Sequence, residues 1–278
     1  MINILTIDCE DWYHTSISQK YLGKNNNFFC KERIYKNVSI LLEILTSKNT
    51  RATFFVLGCI AEKYPKLILE IEKAGNRIGV HGYSHKMVFL QNKIEFENEI
   101  NKSTNVLNTI LSRPVESFRA PNWSINRNSL WAIEILKKYG FKYDSSMTHY
   151  IRYTINKPVV QSIIEFPRSH IKFLKFNIPF GGGAFLRLYP LKLTKYLISK
   201  TNKNGLPFMM YIHPWEVDNK LPLLKTFLID KIIQYGGISS TITKVKKILS
   251  EFKFCPLEDF FEQEVKEKRS LNQFYYFI

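Results

Sequence analysis

The chain is poor in acid. Of its 278 residues, 24 are Asp or Glu against 40 Lys or Arg, a formal net charge of +16. Such an excess points to an acidic partner (a phosphorylated substrate, an anionic membrane surface or nucleic acid) or to nothing more than a solvated lysine surface. Cysteine is scarce too. The four, at positions 9, 30, 59 and 255, show no C-x2-C pairing, which leaves neither a disulfide framework nor a zinc ribbon. Cys9 reads as a small buried thiol. There is no run of about 18 apolar residues, so no transmembrane helix is expected. The start, Met-Ile-Asn-Ile-Leu-Thr-Ile-Asp, has neither a basic n-region nor a long apolar h-region. No signal peptide is expected, and the expected location is the cytoplasm. Internal repeats and low-complexity linkers are absent. With no helix-turn-helix, zinc-finger or RNP pattern, no nucleic-acid partner is expected.

What is there is apolar and periodic. A chain 45% hydrophobic and 14% aromatic can bury a substantial core, which excludes disorder. Strand and helix patterns alternate. Strands are expected at Ile2–Ile7, Ala52–Leu57, Arg77–Val80, Ser117–Arg119, Phe141–Tyr143 and Phe208–Ile212. Helices are expected at Lys31–Ser47, Tyr64–Ala74, Lys93–Leu111, Asn128–Tyr139 and Ser240–Ser250, the last with Ser240 as N-cap. Alternation of this kind implies an α/β fold with a parallel sheet and crossover helices. One domain, 1–278, is expected. Within it 151–207 forms an irregular insertion or capping region, with strands at Val159–Phe166 and Ile171–Ile178, the break Gly181-Gly182-Gly183 and a helix at Leu191–Lys200. The tail, Phe274 to Ile278, is expected to pack on the core.

The chemistry-bearing residues fall at the C-terminal ends of these strands, where α/β folds gather their active groups. Asp8 follows the first strand, His81 the third, Arg119 the fourth, Asp144 the fifth and His213 the last. His81-Gly-Tyr-Ser-His85 places two imidazoles four residues apart, and Asp8-Cys9-Glu10-Asp11 supplies carboxylates. Imidazole nitrogen and carboxylate oxygen are the donors of a catalytic zinc site, so a divalent metal, Zn²⁺, is the expected cofactor. His14, His149 and His170 have no motif partner that makes them ligands.

These motifs resemble the polysaccharide deacetylases, the NodB-homology superfamily of carbohydrate esterases. Thr6 to Asp11 is similar to that family's first acidic motif, and His81-x-x-Ser-His85 to its metal-binding histidines. Arg119-Ala-Pro-Asn-Trp123, Tyr143-Asp-Ser-Ser146 and Tyr211-Ile-His-Pro-Trp-Glu216 are similar to the third, fourth and fifth. The match is closest to the subgroup found in bacterial surface-polysaccharide clusters, through Gly181 to Pro190 and the His-Pro-Trp-Glu segment. The resemblance spans about residues 1 to 220. It implies a distorted, incomplete (β/α) barrel and metal-dependent removal of an acetyl group from an N-acetylated sugar.

On this resemblance Asp8 is the base that takes a proton from water, and Arg119 holds Asp8 ionised. His213 protonates the departing amine, and Asp144 hydrogen-bonds His213 and keeps it charged. His81, His85 and one of Glu10 or Asp11 hold the metal. The family pattern usually has Asp as the ligand, whereas Glu10 has the two-residue spacing, so both stand. Backbone near Asn122 is a candidate oxyanion donor, and Trp123 and Trp215 are candidate apolar walls. The expected substrate is diphosphate-linked, either to a nucleotide or to a lipid, with peripheral contact to the anionic inner membrane face. Two other readings fit the same residues: a hydrolase of another C–N bond, such as a formamide or cyclic imide, and a non-catalytic glycan-binding protein.

Overall fold

The computed structural model describes residues 1–23, 31–148, 163–173, 176–266 and 276–277. Its strands are β1 (Ile2–Cys9), β2 (Thr53–Val56), β3 (Arg77–Val80), β4 (Ser117–Phe118), β5 (Tyr143–Asp144), β6 (Ile164–Glu165), β7 (His170–Phe173), β8 (Phe176–Pro179), β9 (Met209–Ile212), β10 (Lys253–Cys255) and β11 (Tyr276–Phe277). The chain divides into two compact units, Met1–Ala52 with Ser169–Cys255, and Thr53–Arg168 with Pro256–Ile278.

In the first unit β1 pairs in parallel with β9 along Ile4–Ile7 and with β10 along Ile2–Ile4. Every residue of β1 after Ile2 is buried. That agrees with its near-continuous apolar run, the mark of a parallel strand covered on both faces. β7 and β8 form an antiparallel pair, His170↔Pro179 to Phe173↔Phe176, where one strand, Ile171–Ile178, was expected. Phe173 and Phe176 lie three apart, so the apolar alternation changes phase between them. That phase change marks two strands.

The glycine run that follows lies on β9. Tyr211 N donates to Gly181 O at 3.0 Å, and a Cβ on Gly182 would stand 1.9 Å from Tyr211 O. Only glycine permits so close an approach. Helices Gly183–Leu188 and Leu191–Lys203 come next. The helix expected from Ser240 runs Ile238–Glu251, with Gly237 as N-cap at φ 75°. Ser240 is inside the first turn, and its hydroxyl donates to Gly237 O.

In the second unit β2, β3, β4, β5 and β6 run parallel in that order, and β11 closes the edge antiparallel to β6. Crossover helices Pro65–Lys73, Lys93–Ile110 and Trp131–Lys138 connect them, each within a few residues of its expected span. Lys93–Ile110 begins at a capping box, Asn92 with Glu95. At the opposite end from the motifs, Glu258 is buried and accepts the hydroxyls of Thr53 and Ser117, the first residues of β2 and β4. The strand expected at Val159–Phe166 is described only from residue 163. Cys30, His149 and most of the 274–278 tail lie outside the described residues.

Candidate active site

In the first unit the end of β1 delivers Asp8 and Glu10, both buried. β9 ends at Ile212, and a 3-10 turn, Pro214–Val217, carries the chain on from His213. That turn folds His213 onto Glu216. The His213 Nδ1 and backbone N lie 2.9 Å and 2.9 Å from Glu216 Oε2. With Nδ1 held there, the other ring nitrogen, Nε2, faces Asp8 Oδ2 at 3.8 Å and Glu10 Oε1 at 3.9 Å. Trp215 stacks on the His213 ring at 5.3 Å, and its Nε1 donates to Glu10 Oε1 at 3.2 Å.

Behind Glu216 stands Arg187. Its Nε donates to Glu216 Oε1 at 2.6 Å, and both side chains are 1% exposed. Its Nη1 and Nη2 donate to the carbonyls of Gly236 and Ile233, at the C-terminal end of helix Leu228–Tyr235, where cations are favoured. Burial alone would drive the Glu216 carboxyl up. His213 and Arg187 outweigh it and hold the carboxyl down at about 2. For His213 burial pulls the pKa down, but the charge and hydrogen bond of Glu216, then Glu10 and Asp8, raise it to about 9.

Asp11 has other duties. Its Oδ1 accepts from Trp12 N at 2.8 Å, and its Oδ2 accepts from Arg33 N at 2.7 Å and Ile34 N at 3.0 Å. Those last two are donors at the start of helix Ile34–Ser47, so Asp11 caps a helix distant in sequence. His14 Nδ1 accepts from Asp11 N at 3.0 Å, which gives His14 a capping role as well.

In the second unit His81 follows β3 and is buried. Its Nδ1 lies 2.7 Å from the Arg119 carbonyl. A carbonyl only accepts, so Nδ1 carries the hydrogen and Nε2 keeps its lone pair for a ligand. His85 sits at φ 63°, and the two rings are 5.3 Å apart. Glu99, from helix Lys93–Ile110, holds the loop between them by accepting from Tyr83 N, Ser84 N and Ser84 Oγ.

Arg119 is fully buried. Its Nε and Nη2 donate to the Ser145 carbonyl and hydroxyl, and its guanidinium lies 4.4 Å from the Phe55 ring and 5.2 Å from the Trp123 ring. Asn122 and Trp123 are consecutive left-handed residues, φ 55° and 51°. Non-glycine residues hold such backbone at a cost of about 1–3 kcal/mol each, and strain of this kind collects at functional sites. Trp123 is half-buried, Asn122 exposed.

The partner expected for His213 in Asp144 is instead Glu216. Asp144 is engaged elsewhere: Ser146 Oγ donates to its Oδ1, and a hydrogen bond joins it to Glu165. Glu165 in turn accepts from Met147 N at 3.0 Å. Burial lifts Asp144 to about 6 and, with the charge of Asp144 beside it, lifts Glu165 well above the carboxyl range. Two buried, hydrogen-bonded carboxyls favour holding one proton between them.

Sequence reasoning missed Arg187, Glu165 and Glu99 as supporting groups. Arg187 and Glu216 lie inside segments already singled out, but nothing in their 29-residue separation pairs them. Glu165 ends a strand of only two residues. Glu99 is one of three glutamates on one amphipathic helix.

Comparison with known proteins places these motifs. A family model described as "Polysaccharide deacetylase" matches residues 33–143, and one described as "Domain of unknown function (DUF3473)" matches residues 129–262. A Bacillus cereus protein named peptidoglycan-N-acetylglucosamine deacetylase is 38% identical over 95 residues, 34% of this chain and 34% of that protein. The match thus spans about a third of the length of each. A crystal structure of a polysaccharide deacetylase from Mycobacterium smegmatis, at 17% identity, covers 96% of this chain and 92% of its own with a TM-score of 0.61. A family 4 carbohydrate esterase from Streptomyces lividans, solved with acetate, is 14% identical, covering 92% and 91% with a TM-score of 0.52. These likenesses show the fold, a mostly parallel sheet with helices of the incomplete (β/α) barrel class. Over residues 33–143 the chain matches the polysaccharide deacetylase family.

Proposed function

We propose that this protein is a metal-dependent hydrolase that removes the acetyl group from an N-acetylated sugar. The observation that carries this reading is the set of His213: Nδ1 locked on Glu216, Nε2 turned to two buried carboxylates. An imidazole held so can give a proton from Nε2 to a leaving amine while Glu216 balances its charge. In this reading Asp8 is the base that takes a proton from the attacking water. Trp215 holds Glu10 and the His213 ring in place and walls the acetyl methyl.

The donor chemistry suits a divalent ion. Glu10 in the first unit and His81 and His85 in the second offer the carboxylate and imidazole donors that would hold one. His81 presents Nε2 because its Nδ1 is bonded to a carbonyl. Glu10 is favoured over Asp11, whose two oxygens accept three backbone N–H groups. Such an ion, zinc in this proposal, lowers the pKa of a bound water towards about 7 and polarises a carbonyl.

The finer reading is a diphosphate-linked precursor of a surface polysaccharide. The charge of +16 supports an anionic substrate through long-range attraction. The test is acetate release from N-acetylated sugars, free, nucleotide-linked and lipid-linked, before and after dialysis against a chelator. Activity lost on dialysis and restored by Zn²⁺ upholds the reading. No acetate from any of them, with metal present, sinks it.

A further inference from the structure

Helix Leu228–Tyr235 is folded inside out. Asp230, Gln234 and Tyr235 turn their polar groups to the protein. Gln234 is buried, accepts from Thr15 Oγ1 and donates to Ser18 Oγ. Asp230 accepts from Lys20 Nζ and Tyr21 Oη. Tyr235 Oη accepts from Leu224 N and donates to Pro222 O. Its aliphatic side chains face solvent. Leu228 is 74% and Ile229 63% exposed, and Ile232 and Ile233 are exposed with them, as are Leu223 (75%) and Phe227 (71%) just before the helix. Six of the fifteen exposed large hydrophobic side chains among the described residues therefore lie within residues 223–233. Leu188 is also exposed and packs beside Gly236, which extends the patch. A surface helix of a soluble protein has the opposite arrangement, and a contiguous apolar patch marks an interaction surface.

The charges around the patch select its occupant. Lys220, Lys225 and Lys231 are exposed in the same stretch. The one acid there, Asp230, is held by Lys20 and Tyr21. An isologous contact with a second copy would set one lysine-bearing face against an identical one. An anionic bilayer would take the aliphatic side chains into its interface and neutralise the lysines at its headgroups. No helix among the described residues is long and apolar enough to cross a membrane, so the contact is one of lying on the surface.

We propose that residues 223–233 are a docking surface for an anionic lipid bilayer. On its inner side Leu224 and Tyr235 pack against a cluster that includes Trp12, Trp215 and Leu221, and Arg187 ties the helix end to Glu216. Docking therefore holds the His213 layer just behind the bilayer surface. The surface is argued from the helix alone and does not depend on the deacetylase reading.

The test is flotation of the full chain with phosphatidylcholine vesicles containing about one quarter phosphatidylglycerol, beside pure phosphatidylcholine. The wild type should float with the anionic vesicles. L228S/I229S, folded by circular dichroism, should lose about tenfold or more in bound-to-free ratio, and K225Q/K231Q about fivefold per lysine. The K225Q/K231Q loss should shrink in high salt. Acetate release from a water-soluble N-acetylated sugar should survive in L228S/I229S. Vesicle binding by a wild type that releases no acetate upholds the surface and fails only the catalytic reading. Absent vesicle binding, or equal binding by wild type and L228S/I229S, overturns the proposal. A dimer in light scattering that L228S/I229S dissociates, without vesicle binding, gives the face to a second copy and also overturns it.

Discussion

Two buried acids in this molecule are handled in opposite ways. Glu216, in the first unit, is ionised. Arg187 and His213 flank it, both its oxygens accept hydrogen bonds, and its pKa sits near 2. Burial and the charge of Asp144 push Glu165, in the second unit, towards its neutral form. Its neighbour is Asp144, another buried carboxyl hydrogen-bonded to it, where Glu216 has cations. Burial costs a lone carboxylate several kcal/mol in either place. One site answers with opposite charge, the other with protonation. Only the first arrangement leaves a charged imidazole with a ring nitrogen turned to further carboxylates. The ionised cluster is the one the proposed function uses for proton transfer, while the Asp144–Glu165 pair joins the ends of β5 and β6.

The largest expected effect tests that assignment directly. H213A should lower acetate release by about 10²–10⁴ while the circular dichroism spectrum stays as in wild type. D8N should do the same. If H213A turned over at near wild-type rate, the ionised cluster would be structural and the contrast with Glu165 would lose its meaning.

Next comes the cation behind the cluster. R187M leaves Glu216 buried beside one partner instead of two and frees the carbonyls of Ile233 and Gly236. Breaking one side of a buried ion pair costs about 3–5 kcal/mol, to be read from urea unfolding. R187M/E216L, which removes both charges, should recover much of that stability without recovering activity. A double variant as unstable as R187M would mean that packing, not charge, sets the role of Arg187.

How far these regions are legible in the sequence follows from what each depends on. The α/β alternation is legible because β1, β2, β3 and β9 are short apolar runs between amphipathic helices. The positions of His81, Arg119 and His213 just after their strands are legible for the same reason, since they need only the strand ends. Partnerships are not legible. Glu216 is three residues from His213, yet only the 3-10 turn after Pro214 brings them together. Arg187 reaches Glu216 because the glycine run 181–183 lies on β9. Asp11 looks like a ligand within an acidic motif, and becomes a cap once helix Ile34–Ser47 starts beside it. Helix Leu228–Tyr235 escaped notice because its buried face is polar, which inverts the pattern that marks a helix.

The smallest expected effect separates the two acids by pH. Glu165 has a folded pKa raised well above its unfolded value of about 4.5, and Asp144 is raised from 3.8 to about 6. The folded state therefore binds more protons than the unfolded one across that window. By linkage, the contribution of this pair to stability is greatest below about pH 4 and falls as pH rises through the folded values. Glu216 runs the other way: its contribution is complete above about pH 4.5 and is lost as pH falls towards 2. E165Q keeps an oxygen for Met147 N and offers Asp144 an amide N–H in place of the shared proton. The variant should match wild type near pH 4 and exceed it at pH 8, by about 1–3 kcal/mol. Urea unfolding of both proteins at several pH values measures the difference directly, and the contribution of Glu216 cancels because both proteins carry it. A difference between them that does not change with pH would show that Glu165 is ionised like Glu216, and the two regions would then solve burial in the same way.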